Sequence, residues 1–341
     1  MRRRRFTVVL PVRNGGHWLR ACVRSVLAQT VRDFDLVVLE NASEDDGPAW
    51  LDSLDDDRLR VIRAPAPLGI EENWARILPL EKNELLTTIG HDDTFDPDYL
   101  EEIERLIAAH PGAGLYRTHF RMIDGDGRTR GSCRPMPERE GAAEFLRARL
   151  RGERDSFGTG YTMRSADYDR VGGIPPWPRL LFADDALWLR LMRGSYVATA
   201  AAERFAYRFH EGSASFAPDL GDLLAAFECY RGLLAELSGD PEAAAAVRDE
   251  LPGYLERTLK HAYLAALERA CAAGLGLDPA ERARVREALA RHAPAAVGRL
   301  DRDWRVRAWQ AANALPLRRE AARLARGFRA LRDAARARRR S

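Results

Sequence analysis

Phe6-Thr7-Val8-Val9-Leu10-Pro11-Val12, followed at once by Arg13-Asn14, is the stretch on which the fold turns. It is a short β-rich apolar run that ends in polar residues. Trp18 to Gln29 follows with helical periodicity, its apolar positions at Leu19, Val23, Val26 and Leu27. Asp35 to Leu39 is the next buried run and Leu59 to Ile62 a third. Asn73 to Leu80 reads as helix, and Leu85 to Ile89 as a fourth strand. Pro97 suits the first turn of a helix running to Ala109, before the stop His110-Pro111-Gly112. Strands alternating with helices mean βαβ units on a parallel sheet, an α/β fold.

Farther out the pattern changes. Leu115 to Ile123 reads as a strand and Asp124 to Gly127 as a turn. Gly158 to Met163 and Val171 to Pro176 read as loops, and Asp184 to Met192 as a helix. From Leu220 onward the chain is rich in Ala, Leu and Arg. It reads as several helices without strands, broken at Pro252, Gly274-Leu275-Gly276, Pro294 and Pro316.

Ligands of an open parallel sheet bind at the carboxyl ends of its strands. The candidates are therefore Pro11, Arg13 and Asn14 after the first strand, and Glu40 to Ser43 with Asp45 after the second. His91-Asp92-Asp93 follow the fourth. Adjacent acids repel unless a cation relieves them, and Mg²⁺ is typically held by one or two carboxylates plus substrate phosphates. Asp92-Asp93 thus reads either as an anchor for a metal and a diphosphate or as a surface turn before the Pro97 helix. No Gly-x-Gly-x-x-Gly and no Gly-x-x-x-x-Gly-Lys-Ser/Thr follows the first strand, which argues against a nicotinamide oxidoreductase and a P-loop ATPase.

The 341 residues allow two domains, and 46% hydrophobic with 31% charged residues is globular composition. Cys22, Cys133, Cys229 and Cys271 have no metal or disulfide spacing and fit a reducing cytosol. The start carries no signal core, and no apolar run is long enough to span a membrane. The net charge of +3 hides an asymmetry: Arg318 to Ser341 carries +8 and Arg2 to Arg5 carries +4, on a body of −9. Leu317, Ala321, Leu324, Phe328, Leu331 and Ala335 form one apolar stripe flanked by Arg. That predicts a basic amphipathic helix for peripheral membrane contact, packing on the body or homodimer formation. Few aromatics interleave with the Arg residues, a poor signature for nucleic acid.

Several motifs in series resemble family 2 glycosyltransferases of the GT-A fold. They are Phe6 to Asn14 with Ser25 to Thr30, Asp35 to Asp45, and Leu68-Gly69 with Asn73-Trp74. Thr88 to Asp93 comes next, then Gly172-Gly173 with Ala183 to Arg190, and Tyr207 to His210 with Ser213 to Ser215. The resemblance implies a GT-A nucleotide-sugar-binding domain over 1–216, with a mixed, mostly parallel sheet, and an all-α region over 217–341. It places the nucleotide sugar (UDP, dTDP or GDP type) at Pro11, Arg13, Asn14, Glu40, Asn41, Asn73 and Asp92. A divalent cation, Mg²⁺ or Mn²⁺, would sit on Asp93 with His210, and the catalytic base would be Asp184, with Asp185 as its competitor. Glu40 stands where most members have Asp, Gly90 where the metal motif has its first acid, and Ala183 where the family has Glu.

Each residue also has a structural reading. Asn41 suits a turn, His210 a structural hydrogen bond, and Asp184 and Asp185 the positive end of a helix dipole. Trp177 in its Pro-rich loop and Gly160 are the acceptor-side candidates. The implied activity is inverting hexosyl transfer to a polysaccharide, lipid-linked or small-molecule hydroxyl, in the cytoplasm or at the inner membrane face. Two rival readings stand beside it, a sugar nucleotidyltransferase and a degenerate protein that binds a sugar nucleotide without turnover.

Overall fold

The computed structural model describes residues 4–210, 219–273 and 278–314. Its strands are β1 (Phe6–Val12), β2 (Phe34–Glu40), β3 (Leu59–Arg63), β4 (Leu85–Thr88), β5 (Thr94–Phe95), β6 (Leu115–Ile123), β7 (Thr129–Ser132), β8 (Arg139–Gly141), β9 (Tyr161–Arg164) and β10 (Tyr196–Arg208). They form one mixed sheet in the order β3-β2-β1-β4-β9-β6-β10-β5, with β7 on β6 and β8 on β10. The long registers are parallel: β1 with β2, β1 with β4, β2 with β3, and β6 with β10. Every residue of β1 is buried, which is why its sequence does not alternate.

Helices α1 (Gly16–Leu27), α2 (Gly47–Asp52), α3 (Ile70–Ala75), α4 (Tyr99–Ala109), α5 (Ala142–Arg151), α6 (Ser165–Arg170) and α7 (Ala183–Leu191) connect the strands. α1 turns Leu19, Cys22, Val23 and Val26 to the core, the spacing its sequence shows. α3 starts earlier than the periodicity suggests. Gly69 opens it, with the Glu72 carboxylate accepting the Gly69 N–H at 3.0 Å, a one-sided cap that ties down the first turn.

Two further expectations are corrected. Gly158 to Met163 is not a loop throughout, because Tyr161–Arg164 is a strand antiparallel to both β4 and β6. β10 lies in a stretch with no strand signal of its own: Ala198, Ala200, Ala201 and Ala202 are helix formers, and pairing with β6 decides their conformation.

The register carries the functional edge. Val12 pairs with Glu40 and Val9 with Thr88, so the residues after β1, β2 and β4 emerge together. β9 runs the opposite way, Thr88 facing Tyr161, which brings Gly158 and Thr159 to the same edge.

The chain divides into two compact units. One is Met1–Phe216 with Ala226–Ala246, and the other is Ala217–Ala225 with Val247–Ser341. After the sheet come α8 (Leu220–Leu237), α9 (Pro241–Ala273), α10 (Pro279–His292), α11 (Pro294–Arg302) and α12 (Trp304–Ala314). α9 runs through Pro252, where the sequence suggests a break, whereas Pro294 does open a new helix. The second unit buries Leu255, Leu259, Tyr263, Val285, Leu289 and Leu300. Ion pairs Arg299–Glu256 and Lys260–Asp303 lie at its surface. Among the described residues no helix is long and apolar enough to cross a membrane. The predicted basic stripe from Leu317 to Ala335 and the motif Ser213 to Ser215 lie outside the described residues.

Candidate active site

A cleft of about 1180 Å³ opens at this sheet edge, and Pro11, Arg13, Asn14, Asn41, Asn73, Asp92, Asp93, Asp184 and His210 all line it. One end of it is built by side chains that tie loops together. Asn14 has a left-handed φ of 52°. Its Oδ1 accepts the Glu44 N–H at 2.8 Å, and its own N–H donates to Ser43 Oγ at 2.9 Å. Glu40 is buried and accepts the Ser43 N–H at 2.6 Å, and it does not line the cleft. Its carboxylate shapes the loop that follows β2.

Asn41 is equally committed. Its Nδ2 donates to the Leu68 carbonyl at 3.0 Å and its Oδ1 accepts the Leu68 N–H at 2.8 Å, a two-bond clasp between the loop after β2 and the chain before α3. Asn73 is buried, and its Oδ1 accepts from Arg76 Nη1 at 2.9 Å. Arg76 also donates to the carbonyls of Glu40 and Ile62, which fixes which way the Asn73 amide faces.

The two acids after β4 do different work. Asp93 is 1% exposed. Its Oδ2 accepts from Thr159 Oγ1 at 2.7 Å and its Oδ1 from the Arg208 N–H at 3.0 Å. Burial, with the Asp92 charge beside it, holds its carboxyl well above the usual range. Asp92 instead meets His210, Oδ2 to Nε2 at 2.7 Å. Trp18 lies over His210 with ring centroids 4.2 Å apart, and donates its indole N–H to the Gly125 carbonyl at 3.0 Å. The pair open to the cleft is therefore Asp92–His210, and Asp93 is the brace behind it. The sequence reading put the ion on Asp93 with His210; here Thr159 and the Arg208 N–H engage Asp93, and His210 meets Asp92. Among the described residues no group of three His, Cys, Asp or Glu is arranged to hold a metal. The donor set fits a cation only as a half-site, one carboxylate with an imidazole, whose remaining ligands are diphosphate oxygens and water.

Gly90 has a physical reason for its lack of a side chain. A Cβ there would lie 2.8 Å from Asp92 Oδ1 and 3.0 Å from Asp93 Oδ2, so the carboxylates occupy the room an acid would need.

Asp184, in the first turn of α7, lines the same cleft. Gly158 passes its Cβ closely enough that a Cβ on Gly158 would lie 3.7 Å away, and Thr159, next in the chain, grips Asp93. One two-residue segment therefore joins the base candidate to the acids after β4. Burial, and then the charge of Asp185, push the Asp184 carboxyl up to about 7. Asp185 itself is buried, pairs with Arg149 and does not line the cleft.

Trp177 and Gly160 do not line it either. Gly160 has a φ of 77°, and a Cβ would meet the Phe205 ring at 2.5 Å, so close packing alone accounts for a glycine there. The aromatic residues on the cleft are Trp18, Trp74, Phe157, Phe182 and Tyr207, with Phe157 and Tyr207 stacked at 3.6 Å. Sequence reasoning read Thr159 in a loop and Arg208 in a motif without foreseeing that both hold Asp93, and it missed Arg149 on α5.

Residues 7–165 match the model of glycosyl transferase family 2. An uncharacterized protein of Sinorhizobium fredii is 28% identical over 228 residues, 61% of this chain and 24% of its own length. The glycosyltransferase GlyG of Streptococcus pneumoniae is 22% identical over 36% of this chain and 41% of its own. The matches thus span a quarter to two-fifths of these relatives. Among solved structures, TarS 1–349 of S. aureus in complex with UDP-GlcNAc superposes with a TM-score of 0.64 at 16% identity, over 94% of this chain and 92% of that one. A second S. aureus TarS 1–349 structure superposes with a TM-score of 0.63 at 15% identity, over 94% of this chain and 92% of that one. Residues 7–165, a little under half of the chain, are thus similar to glycosyl transferase family 2, and the fold is the GT-A fold.

Proposed function

We propose that the chain transfers a sugar from a nucleoside-diphosphate sugar to an acceptor hydroxyl, with inversion at the anomeric carbon. The observation that carries this is the shared cleft: Asp184 lines it with Asp92–His210, joined to them through Gly158-Thr159 and Asp93. Asn41, Asn73 and Arg13 form the nucleotide end, and Asp92 and His210 face the diphosphate. Asp184 takes the acceptor's proton as its oxygen attacks C1 from the face opposite the diphosphate. The C1–O bond breaks with its electron pair leaving on the nucleoside diphosphate, so a single displacement inverts the centre. A divalent cation held by Asp92 and His210, Mg²⁺ or Mn²⁺, would neutralise charge on the departing diphosphate. A carboxyl near 7 is matched to a base that works near neutral pH.

The family match supports sugar transfer, and the TarS complex with UDP-GlcNAc supports a uridine nucleotide as the donor to try first. The acceptor is a glycan, lipid-linked or small-molecule hydroxyl. Residues 1–216 are proposed as the catalytic domain and the helical remainder as a second module.

Thermal unfolding with UDP-, GDP- and dTDP-sugars, with and without Mn²⁺, tests the donor assignment, because a ligand bound only by the folded state raises Tm by mass action. One nucleotide class is expected to raise Tm, more so with the metal. No shift with any of them would sink the reading.

A further inference from the structure

Asp185 is a second carboxylate beside the proposed base, and its side chain is only 2% exposed. Arg149 of α5 clamps it. Nε lies 2.9 and 3.1 Å from its two oxygens and Nη2 lies 2.9 Å from Oδ2. The same guanidinium donates through Nη1 to the Arg154 carbonyl at 3.1 Å, at the start of the segment that leads to Gly158-Thr159, and Arg149 also lines the cleft. Asp184 has no such clamp: its Oδ1 accepts the Asp185 N–H at 2.9 Å. Among the described residues, the titratable or charged groups facing Asp184 are Asp185 on its own helix, Arg149 from α5 and Tyr207 from β10, whereas Gly158 brings none.

Two neighbouring carboxylates do not both ionise freely unless a cation compensates one of them. We infer that Arg149 is a positioning residue that engages the Asp185 carboxylate in a two-pronged ion pair and leaves Asp184 as the carboxyl that exchanges its proton with the acceptor. The inference rests on reading Asp184 as the base, and it adds what sets that base apart from its neighbour. A lysine would keep the charge of Arg149 without its two-pronged grip.

The test titrates the carboxyl itself and needs no substrate. The full chain is labelled with ¹³C in its aspartate carboxyls, and the resonance missing from both Asp184→Asn and Asp184→Glu is that of Asp184. In the wild type its midpoint is expected near 7. In Asp185→Asn, with the neighbouring negative charge gone and Arg149 retained, it should fall by about one pH unit or more. In Arg149→Met/Asp185→Asn, with both charges gone, it should return close to the wild-type value. Arg149→Lys should stay close to it. Arg149→Met alone strands a buried carboxylate and is expected to lower Tm, so the double variant carries the comparison. A midpoint that does not move in Asp185→Asn, or that stays low in the double variant, overturns the role of Arg149. Full turnover by Asp184→Asn would instead overturn the base reading, and the titration would still decide what Arg149 does.

Discussion

Asp184 shows how a functional side chain costs stability. In the unfolded chain its carboxyl titrates at the ordinary 3.8, in the folded chain at about 7. Between those values the folded state binds the extra proton, so stability falls as pH rises from about 4 to about 7. Asp184→Asn removes that loss. Its Tm is expected to match the wild type near pH 4 and to exceed it at pH 8, measured by calorimetry across the range. Turnover moves the other way, dropping by roughly 10²–10⁴-fold if the carboxylate takes the acceptor's proton. A variant that is both slower and less stable at pH 8 would mean that Asp184 serves packing rather than chemistry.

At the scale of elements, the site is a set of loop junctions, and the Asn41 clasp is the one that joins β2 to α3. Asn41→Ala removes both hydrogen bonds to Leu68 and leaves a half-buried N–H and a half-buried carbonyl without those partners. The expected cost is about 1–3 kcal/mol, read from denaturant unfolding. The nucleotide that raises the wild-type Tm should bind about tenfold more weakly, because the loop it contacts is no longer held. The same elements show what the sequence made legible. β1, β2 and β4 announce themselves because buried parallel strands are apolar along their length and end in polar residues that sit at one edge. That logic and the family motifs point to Asp92, Asn41 and Asp184, which line one cleft. β9 and β10 were hidden because one is short and follows glycines, and the other is alanine-rich. Their strand character comes from partners distant in sequence, Thr88 and Ile123 among them. The contacts that brace the site went unseen with them: those of Thr159 before β9, Arg208 at the end of β10, and Arg149 on α5. The division of labour between Asp92 and Asp93 was equally invisible, since only the fold says which of two adjacent acids is buried.

At the scale of the whole molecule, the boundary after the sheet is not where the motifs end. Residues 226–246 belong to the same compact unit as the sheet. Phe182, which immediately precedes α7, stacks on Tyr230 of α8 at 5.0 Å and meets Phe227 edge-on. Phe182 adopts a φ of 62° and follows Arg179 and Leu180, which also have positive φ, so the entry to α7 is strained and must be held from outside. Tyr230 and Phe227 are that support, and both are buried. A fragment ending after residue 216 loses them, and Phe182 is left facing solvent at the helix start that carries Asp184. That fragment is expected to unfold several degrees lower than one ending after residue 246 and to bind an apolar dye. In the longer fragment the Asp184 resonance should keep its wild-type midpoint. Equal Tm values for the two fragments would show that the strained entry to α7 is held by the sheet alone.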